Sequence, residues 1–221
     1  MKMKTLHTLL LTTFALAFFI AFGQNDPKAK KILDEVSAKT KTYTSIVAEF
    51  SVRVENKKAG TNDTQQGKIS IKGNKYKLEI NNQTVISDGK TSWTILKEAN
   101  EVQVNAVDAK QKDGAITPDN IFTIYETGFK YEFAKEEVQK SGAVIQYVKL
   151  FPLDVKKRNF HTALLSIDKK KKQITSLKIL GKDGNDITYT IKTFVPNSEI
   201  TDAAFTFNPK AYPGYEVIDL R

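Results

Sequence analysis

The stretch VISDGKTSW, residues 85–93, has the pattern of a β-hairpin: an apolar run, an Asp-Gly pair, and a second run that ends in the only tryptophan of the sequence. Asp88 and Gly89 supply the positive φ angles that a two-residue hairpin turn requires. We therefore expect two antiparallel strands joined by this turn. The hairpin assigns this part of the chain to an antiparallel sheet.

Alternation of apolar and polar residues continues on both sides of the hairpin. Its longest run lies between Ile46 and Val54, where every second residue is apolar. Further strands are predicted at residues 67–72, 75–81, 83–87, 91–96, 101–106, 130–135, 143–151, 160–167, 173–180 and 186–194. Many antiparallel strands with one polar face predict a mainly β chain of the α+β class, built as a single curled sheet or open barrel of about eleven strands.

Two helices are predicted beside this sheet. The first begins at Asp26 and Pro27, a capping residue followed by proline at the first helical position. The second begins at residues 117–118 and stops at Gly128. We expect both helices to bury an apolar stripe against the concave face of the sheet. The stripes consist of Ala29, Ile32, Leu33 and Val36 in the first helix, and of Ile121, Phe122 and Tyr125 in the second.

The first 23 residues have the features of a signal peptide that is removed. Two lysines precede an apolar run at residues 9–22, and small residues lie just before Gln24. A retained membrane anchor is the alternative, although a spanning helix usually needs about 20 apolar residues. Cleavage leaves residues 24–221 as a single exported domain. The sequence has no cysteine, so we expect neither disulfides nor a lipid-attachment site.

The basic composition, with a formal net charge of +9, raises the question of a nucleic-acid partner. The lysines alternate with apolar residues, as in residues 75–80, which is typical of the solvated face of an antiparallel sheet. No basic and aromatic residues alternate in the way that stacks bases. We therefore expect no nucleic-acid partner. Residues 169–172, four lysines in a turn, are interpreted as solvated, with contact to anionic lipid headgroups as the alternative.

The sequence offers little for catalysis or metal binding. His161 is the only histidine left after removal of the signal peptide, so nucleophile and base chemistry would depend on one imidazole. Without cysteine, a metal site would need oxygen ligands alone, and residues 183–186 lack the spacing of a calcium loop. We expect no enzyme, no metal and no cofactor. A hydrolase with two carboxylates stays an alternative, because such pairs meet only in three dimensions.

Five stretches resemble, in order along the chain, the family of outer-membrane lipoprotein carriers, the LolA family. They are YTSIVAEFS (43–51), GKISIK (67–72), SDGKTSW (87–93), DAAFTFNP (202–209) and PGYEVID (213–219). The resemblance extends from about Lys28 to Arg221. It implies an incomplete antiparallel barrel of about eleven strands, whose mouth is covered by helices that act as a lid.

The resemblance also implies a function in the periplasm. The expected activity is carriage of acylated lipoproteins from an ATP-driven release complex in the inner membrane to an acceptor at the outer membrane, by a monomer. The alternative is a periplasmic module of the same fold that senses lipids or lipoproteins and regulates a partner. A sheet of this kind can be filled with side chains or can enclose an apolar cavity, and the sequence leaves both open.

We assign the site residues from the alternation along each strand and from the apolar stripe of each helix. An error of one residue in the register of a strand would place all of its assigned side chains on the opposite face. The predicted lipid-binding cavity comprises Leu78, Ile80, Trp93, Ile95, Val104, Tyr131 and Phe133. The predicted lid residues are Ile32, Val36, Ile121, Phe122 and Tyr125.

One position departs from the family pattern. Many members carry an arginine and a proline after the glycine-led strand, and the arginine is thought to hold the lid closed. Gly73 and Asn74 occupy these positions here. Either Lys75 substitutes as a point charge, or the empty form is less firmly closed. We favour the second, because alternation with Tyr76 turns Lys75 away from the lid and into water.

Overall fold

The computed structural model describes residues 26–107, 120 and 122–221. The predicted signal peptide, the predicted start of the second helix and Ile121 lie outside these residues. The described residues form one α-helix, three short 3-10 helices and twelve strands. The elements are α1 (Pro27–Thr40), β1 (Ile46–Asn56), β2 (Thr61–Lys72), β3 (Lys75–Ile80), β4 (Gln83–Ser87), β5 (Thr91–Leu96), β6 (Glu101–Ala106), β7 (Phe129–Val138), β8 (Val144–Pro152), β9 (Phe160–Asp168), β10 (Gln173–Gly181), β11 (Asn185–Pro196) and β12 (Glu216–Asp219), with 3-10 helices at Ile124–Glu126, Asp202–Phe205 and Pro209–Ala211.

All twelve strands belong to one open sheet in the order β12-β6-β5-β4-β3-β2-β1-β11-β10-β9-β8-β7. Neighbours are antiparallel except at one edge, where β12 runs parallel to β6. The mainly β class and the single open sheet agree with the prediction, whereas the number of strands is twelve rather than about eleven. The additional strand is β12, a four-residue segment that pairs with a strand far away in sequence.

Strand β1 lies at the middle of the sheet, between β2 and β11. Its alternation buries Ile46, Ala48, Phe50 and Val52. A register shift between Glu49 and Phe50 marks a bulge against β11. The face that carries these four side chains is also the face on which α1 packs. We call it the inner face, and the opposite side the outer face.

Helix α1 is fixed to the sheet at its first residue. One carboxylate oxygen of Asp26 accepts hydrogen bonds from the backbone amides of Lys28 (2.8 Å) and Ala29 (3.3 Å), and the other accepts one from Phe133 on β7 (2.9 Å). The predicted cap is therefore confirmed, and it also joins the helix to the edge strand. The predicted stripe of α1 is buried, with Val36 only 1% exposed.

The predicted second helix is not an α-helix in its described part. Phe122 and Thr123 form a turn, followed by a single 3-10 turn at Ile124–Glu126. Thr123 has φ −130° and ψ 5°, outside the helical range, and Gly128 has φ +80°. The predicted lid of two helices is therefore corrected, in the described residues, to α1 and this short turn.

Residues 197–221, the C-terminal segment, run from the end of β11 to the far edge of the sheet. The carboxylate of Asp202 bonds the amines of Lys72 (2.9 Å) and Lys75 (2.8 Å), beside the turn between β2 and β3. Phe205 is fully buried. The segment then reaches β6 and adds β12 to it. Within the described residues, no helix is both long enough and apolar enough to cross a bilayer.

Candidate functional site

The inner face carries a continuous row of apolar side chains beyond the part that α1 covers. Residues paired across antiparallel strands share a face, so the pairs of Leu78 with Val85, and of Val52 with Tyr189, extend the row across neighbouring strands. We call this row the inner apolar strip. It consists of Phe50, Val52, Val54, Leu78, Ile80, Val85, Leu96, Ile187, Tyr189 and Ile191.

The strip ends where the inner face becomes polar. On β5 the inner positions are Ser92, Thr94 and Leu96, and on β6 they are occupied by polar residues such as Gln103, which bonds Glu101 (2.6 Å). The strip therefore extends from β11 across β1, over Gly67 of β2, and across β3 and β4 to the end of β5. Its members outside β1 are partly buried rather than buried, so part of their apolar surface is accessible.

Gly67 allows the ring of Phe50 to lie close against the sheet. It pairs with Phe50 across β1 and β2. A Cβ atom at Gly67 would lie 2.6 Å from Cζ of Phe50, so any other residue would displace the ring. The glycine that begins the predicted strand 67–72 therefore lies inside β2, beneath an aromatic ring.

Under α1, at β8, β9 and β10, buried side chains fill the space between the helix and the inner face. Ile32 and Val36 of α1 lie in a buried cluster with residues of β8, β9 and β10, among them Leu150 and Leu165, which have no exposed surface. Tyr125, only 3% exposed, belongs to the same cluster. The sequence allowed either a filled interior or an apolar cavity. In the structure, the inner face is filled under α1 and less covered along the strip.

Two predicted cavity residues flank this filled part. Tyr131 and Phe133 of β7 are partly buried and pack against the cluster under α1. The amine of Lys28 lies 3.5 Å from the centre of the Phe133 ring. Of the predicted set, Leu78 and Ile80 lie on the strip, whereas Tyr131 and Phe133 lie at the opposite side of the inner face.

Phe122 packs on the inner face beside the start of β1, in a buried cluster that includes Phe50 and Val52 of the strip. It is 5% exposed, and its ring meets the edge of Phe194 with centroids 5.6 Å apart. Beside it lies a cavity of about 290 Å³, near the lower limit of ligand pockets. The cavity is lined by Thr40, Lys41, Tyr43, Thr44, Ser45, Ile46, Ile71, Gly73, Phe122 and Thr123. Among the predicted lid residues, Phe122 is thus the one that lines this opening, while Ile121 lies outside the described residues.

Three predicted cavity residues lie on the outer face. Trp93 pairs with Ile86 and Val104, and Ile95 pairs with Val102, all on the outer face, opposite Leu78. There the C-terminal segment covers them: the rings of Trp93 and Phe207 stack with centroids 6.5 Å apart. The seven predicted cavity residues therefore do not share one surface. Trp93 and Ile95 belong to a second core between the sheet and the C-terminal segment, and Val104, the partner of Trp93 on β6, is buried on the same face.

Lys75 occupies the same outer side. Alternation with Tyr76 does turn it away from the inner face, but its amine is bound to Asp202 rather than free in water. These hydrogen bonds from Lys75 and Lys72 lower the pKa of Asp202 to about 2. Gly73, at the position of the family's arginine, has open space beside it and lines the cavity near Phe122.

The inner face has low polarity around Tyr189 and Tyr43. Burial raises the pKa of Tyr189 on the strip and that of Tyr43 at the cavity. Tyr125 is also buried; its hydroxyl has no partner in hydrogen-bonding geometry within the described part of the chain, although Thr40 interacts with it, and burial followed by the charge of Glu126 raises its pKa. Such surroundings suit hydrocarbon rather than charged ligands.

After the predicted removal of the signal peptide, His161 is the one imidazole available for catalysis. His161 is exposed on β9, with Nδ1 2.9 Å from the hydroxyl of Thr162. No three His, Cys, Asp or Glu side chains in this part of the chain are placed to hold a metal ion.

Sequence reasoning missed most of the strip. Val85, on the first strand of the quoted hairpin, and the alternating residues Ile187, Tyr189 and Ile191 of β11 were not assigned to the site. The alternation in β11 is visible in the sequence, but only the pairing of β11 with β1 shows that it continues the same surface.

Comparison with known proteins gives three results. The family model described as "Outer membrane lipoprotein carrier protein LolA" matches residues 19–184. None of the curated proteins matches the chain. An uncharacterized conserved protein from Thermus thermophilus has a similar structure, with a TM-score of 0.57 and 13% identity over 87% of this chain and 99% of that one. This likeness shows a shared fold.

Two further solved structures show weaker similarity. The LolA superfamily protein NE2245 from Nitrosomonas europaea has a TM-score of 0.44 and 11% identity, over 81% of this chain and 97% of that one. A putative outer membrane lipoprotein-sorting protein domain from Vibrio parahaemolyticus has a TM-score of 0.43 and 11% identity, over 83% and 99%.

Proposed function

This chain belongs to the LolA family of outer membrane lipoprotein carrier proteins, and on that premise we propose that it is a periplasmic carrier of lipoproteins. It binds their acyl chains on the inner apolar strip and carries them from the inner to the outer membrane. It takes them from an ATP-driven release complex and delivers them to an outer-membrane acceptor. It performs no reaction on them.

The single observation that supports this proposal is the partly covered inner apolar strip. Each CH₂ group removed from water contributes about 0.8 kcal/mol, so the acyl chains of a lipoprotein need an apolar surface during transfer. A strip that runs over several strands can contact an extended chain along its length. The strip offers hydrocarbon contacts and no hydrolytic group, which suits binding rather than chemistry.

A carrier must also release what it binds. Helix α1 is tied to β7 through Asp26, and its stripe lies in a filled core, so we assign it to the fixed part of the protein. Phe122 is the contact that can open. It reaches the inner face beside the strip from a turn and a 3-10 helix, which are short elements with few backbone bonds to hold them. Movement of Phe122 away from Phe194 would widen the cavity toward the strip.

Depletion of the protein in its own cells tests the proposal. We expect lipoproteins of the outer membrane to accumulate in the inner membrane after depletion, and the unchanged protein to restore their distribution. Leu78→Asp, on the strip, should not restore it, because the charge faces hydrocarbon. Lys77→Glu, the neighbouring residue on the outer face, is the matched control and should restore it.

The bound material separates the carrier from its alternatives. Lipoproteins that co-purify with intact acyl chains, together with mislocalisation on depletion, support a carrier. Co-purification with an unchanged distribution of lipoproteins would instead favour the sensing module. Shortened or released acyl chains would point to a hydrolase and contradict the proposal.

A further inference from the structure

The loop between β8 and β9 exposes large apolar side chains. Residues 153–157 are exposed in succession. Leu153 has 70% of its surface exposed and Val155 51%, so both are among the most exposed large hydrophobic residues of the described chain. Apolar side chains that protrude from a loop often mark a contact with another surface. The loop, residues 153–159, plays no part in the inner apolar strip.

The backbone of this loop is held in place by several hydrogen bonds. The amide of Leu153 donates to the carbonyl of Gly128 (3.0 Å). The amine of Lys182, in the next turn of the sheet, donates to the carbonyls of Val155 and of Arg158, the latter at 2.8 Å. The carboxylate of Asp154 accepts the amide of Lys156 (3.1 Å). The exposure of Leu153 and Val155 is thus a property of an ordered loop.

Arg158 anchors the end of the loop. Its guanidinium lies 4.7 Å from the ring centre of Phe129 and 5.7 Å from that of Phe160, and the two rings stack on each other. Burial lowers the pKa of this arginine. The backbone of the loop is therefore held at both ends, and insertion of the loop tip into another phase costs little backbone entropy.

The charge of the loop is basic. Lys156 and Lys157 directly follow the two apolar residues and are exposed, and Asp154 is the only acidic residue between 153 and 159. The amine of Lys157 lies 3.8 Å from the carboxylate of Asp154, a distance at which an exposed pair contributes little. Two lysines beside two apolar side chains match an anionic lipid surface, with hydrocarbon below and phosphate at the level of the amines.

We propose that the β8–β9 loop docks the protein on anionic lipid bilayers, with Leu153 and Val155 inserted among the acyl chains and Lys156 and Lys157 at the headgroups. A stable protein interface buries about 800 Å² on each partner, far more than two side chains on a loop tip provide. A bilayer accepts such a tip without a complementary groove. The proposal does not depend on lipoprotein binding. The strand registers place this loop beyond one end of the strands and the cavity near Phe122 beside the other end.

Vesicle co-sedimentation tests the proposal with protein purified from the periplasm. We expect binding to vesicles that contain phosphatidylglycerol and at least tenfold weaker binding to vesicles of phosphatidylcholine alone. Leu153→Ser combined with Val155→Ser should weaken binding about tenfold or more. Lys156→Gln combined with Lys157→Gln should weaken it by about fivefold per lysine, and only on anionic vesicles.

Val138→Ser is the matched control. Val138 is 73% exposed, at the end of β7, but it follows Glu136 and Glu137 and should not approach an anionic surface. This variant should bind vesicles like the unchanged protein. Equal losses for Val138→Ser and for the double serine variant would overturn the proposal, because they would indicate a general effect of surface hydrophobicity.

The absence of cysteine permits a direct reporter of insertion. Val155→Cys and Val138→Cys, each labelled with an environment-sensitive dye, place one probe on the loop and one on the control site. On anionic vesicles, only the dye at residue 155 should show an emission maximum at shorter wavelength and protection from an aqueous quencher. No vesicle-dependent change at 155, or a change that appears only with an added protein, would overturn the proposal in favour of a protein partner. Thermal unfolding of each variant shows that the loop changes leave the fold intact.

Discussion

The assignment of Leu78 to the inner face and of Ile95 to the outer face can be tested by a matched pair of truncations. Both residues are large aliphatic side chains on neighbouring hairpins, and both were expected in one cavity. Their environments differ. Ile95 has no exposed surface, whereas Leu78 is only partly buried. We therefore expect Ile95→Ala to lower stability and Leu78→Ala to lower affinity for acyl chains.

The magnitudes follow from burial. Truncation of a fully buried isoleucine lowers the free energy of unfolding by about 2 to 5 kcal/mol, and the tight contacts of Ile95 under the C-terminal segment favour the middle of this range. Leu78→Ala removes three carbons from an accessible surface, so its effect on unfolding is about 1 kcal/mol. The same three carbons contact a bound chain from one side only. An affinity loss of about tenfold, or roughly 1.4 kcal/mol, is expected.

Urea denaturation gives the first quantity, and displacement of a fluorescent fatty acid at constant protein concentration gives the second. The two effects should separate. Ile95→Ala should be less stable than the unchanged protein but bind fatty acid with nearly the same affinity, whereas Leu78→Ala should be nearly as stable but bind more weakly. If Ile95→Ala, measured while folded, weakened binding more than Leu78→Ala does, the assignment of the two faces would be refuted.

Three further outcomes are expected. Tyr125→Phe should raise the free energy of unfolding by about 1 kcal/mol in urea titration, because it removes a buried hydroxyl that has no partner in hydrogen-bonding geometry among the described residues; a loss of stability would show that its interaction with Thr40 is a full hydrogen bond. Asp202→Asn should lower the melting temperature at neutral pH. The difference in melting temperature between this variant and the unchanged protein should disappear as pH falls from about 3.8 to about 2, because protonation of Asp202 removes the stabilisation that its lowered pKa reflects. A difference that does not change with pH would contradict an ionic contribution of Asp202. Phe122→Asp should weaken fatty-acid binding in a folded protein, and the absence of any folded species would assign Phe122 to the filled core instead.

Local signals in the sequence were sufficient for most strand positions. Strands β4, β5 and β6 have the predicted bounds, because turn residues separate them and each strand alternates. The start of α1 was predicted from Asp26 and Pro27 for the same reason: capping is a local interaction. Strand β12 was missed because its four residues gain order only from parallel pairing with the distant β6.

The face of Trp93 shows why the site was harder to predict. Alternation correctly separates Trp93 and Ile95 from Ser92 and Thr94, and the apolar pair is indeed covered. The inference that an apolar strand residue faces the inner side failed here, because the sheet has an apolar core on each of its two faces. The second core exists only through Phe207 and the rest of the C-terminal segment, whose path across the outer face depends on contacts such as that of Asp202 with Lys72.

The pairing of β1 with β11 has a consequence for the order in which the protein folds. β1 ends at Asn56, but β11 begins only at Asn185, so the pair at the middle of the sheet closes one of the longest loops of the chain. Contacts of such separation form late, after the hairpins whose strands are adjacent in sequence. The side chains of β11 complete the inner apolar strip only at that step. A growing polypeptide that lacks β11 therefore has no complete strip, and the acyl-binding surface arises only once nearly all of the chain has been made.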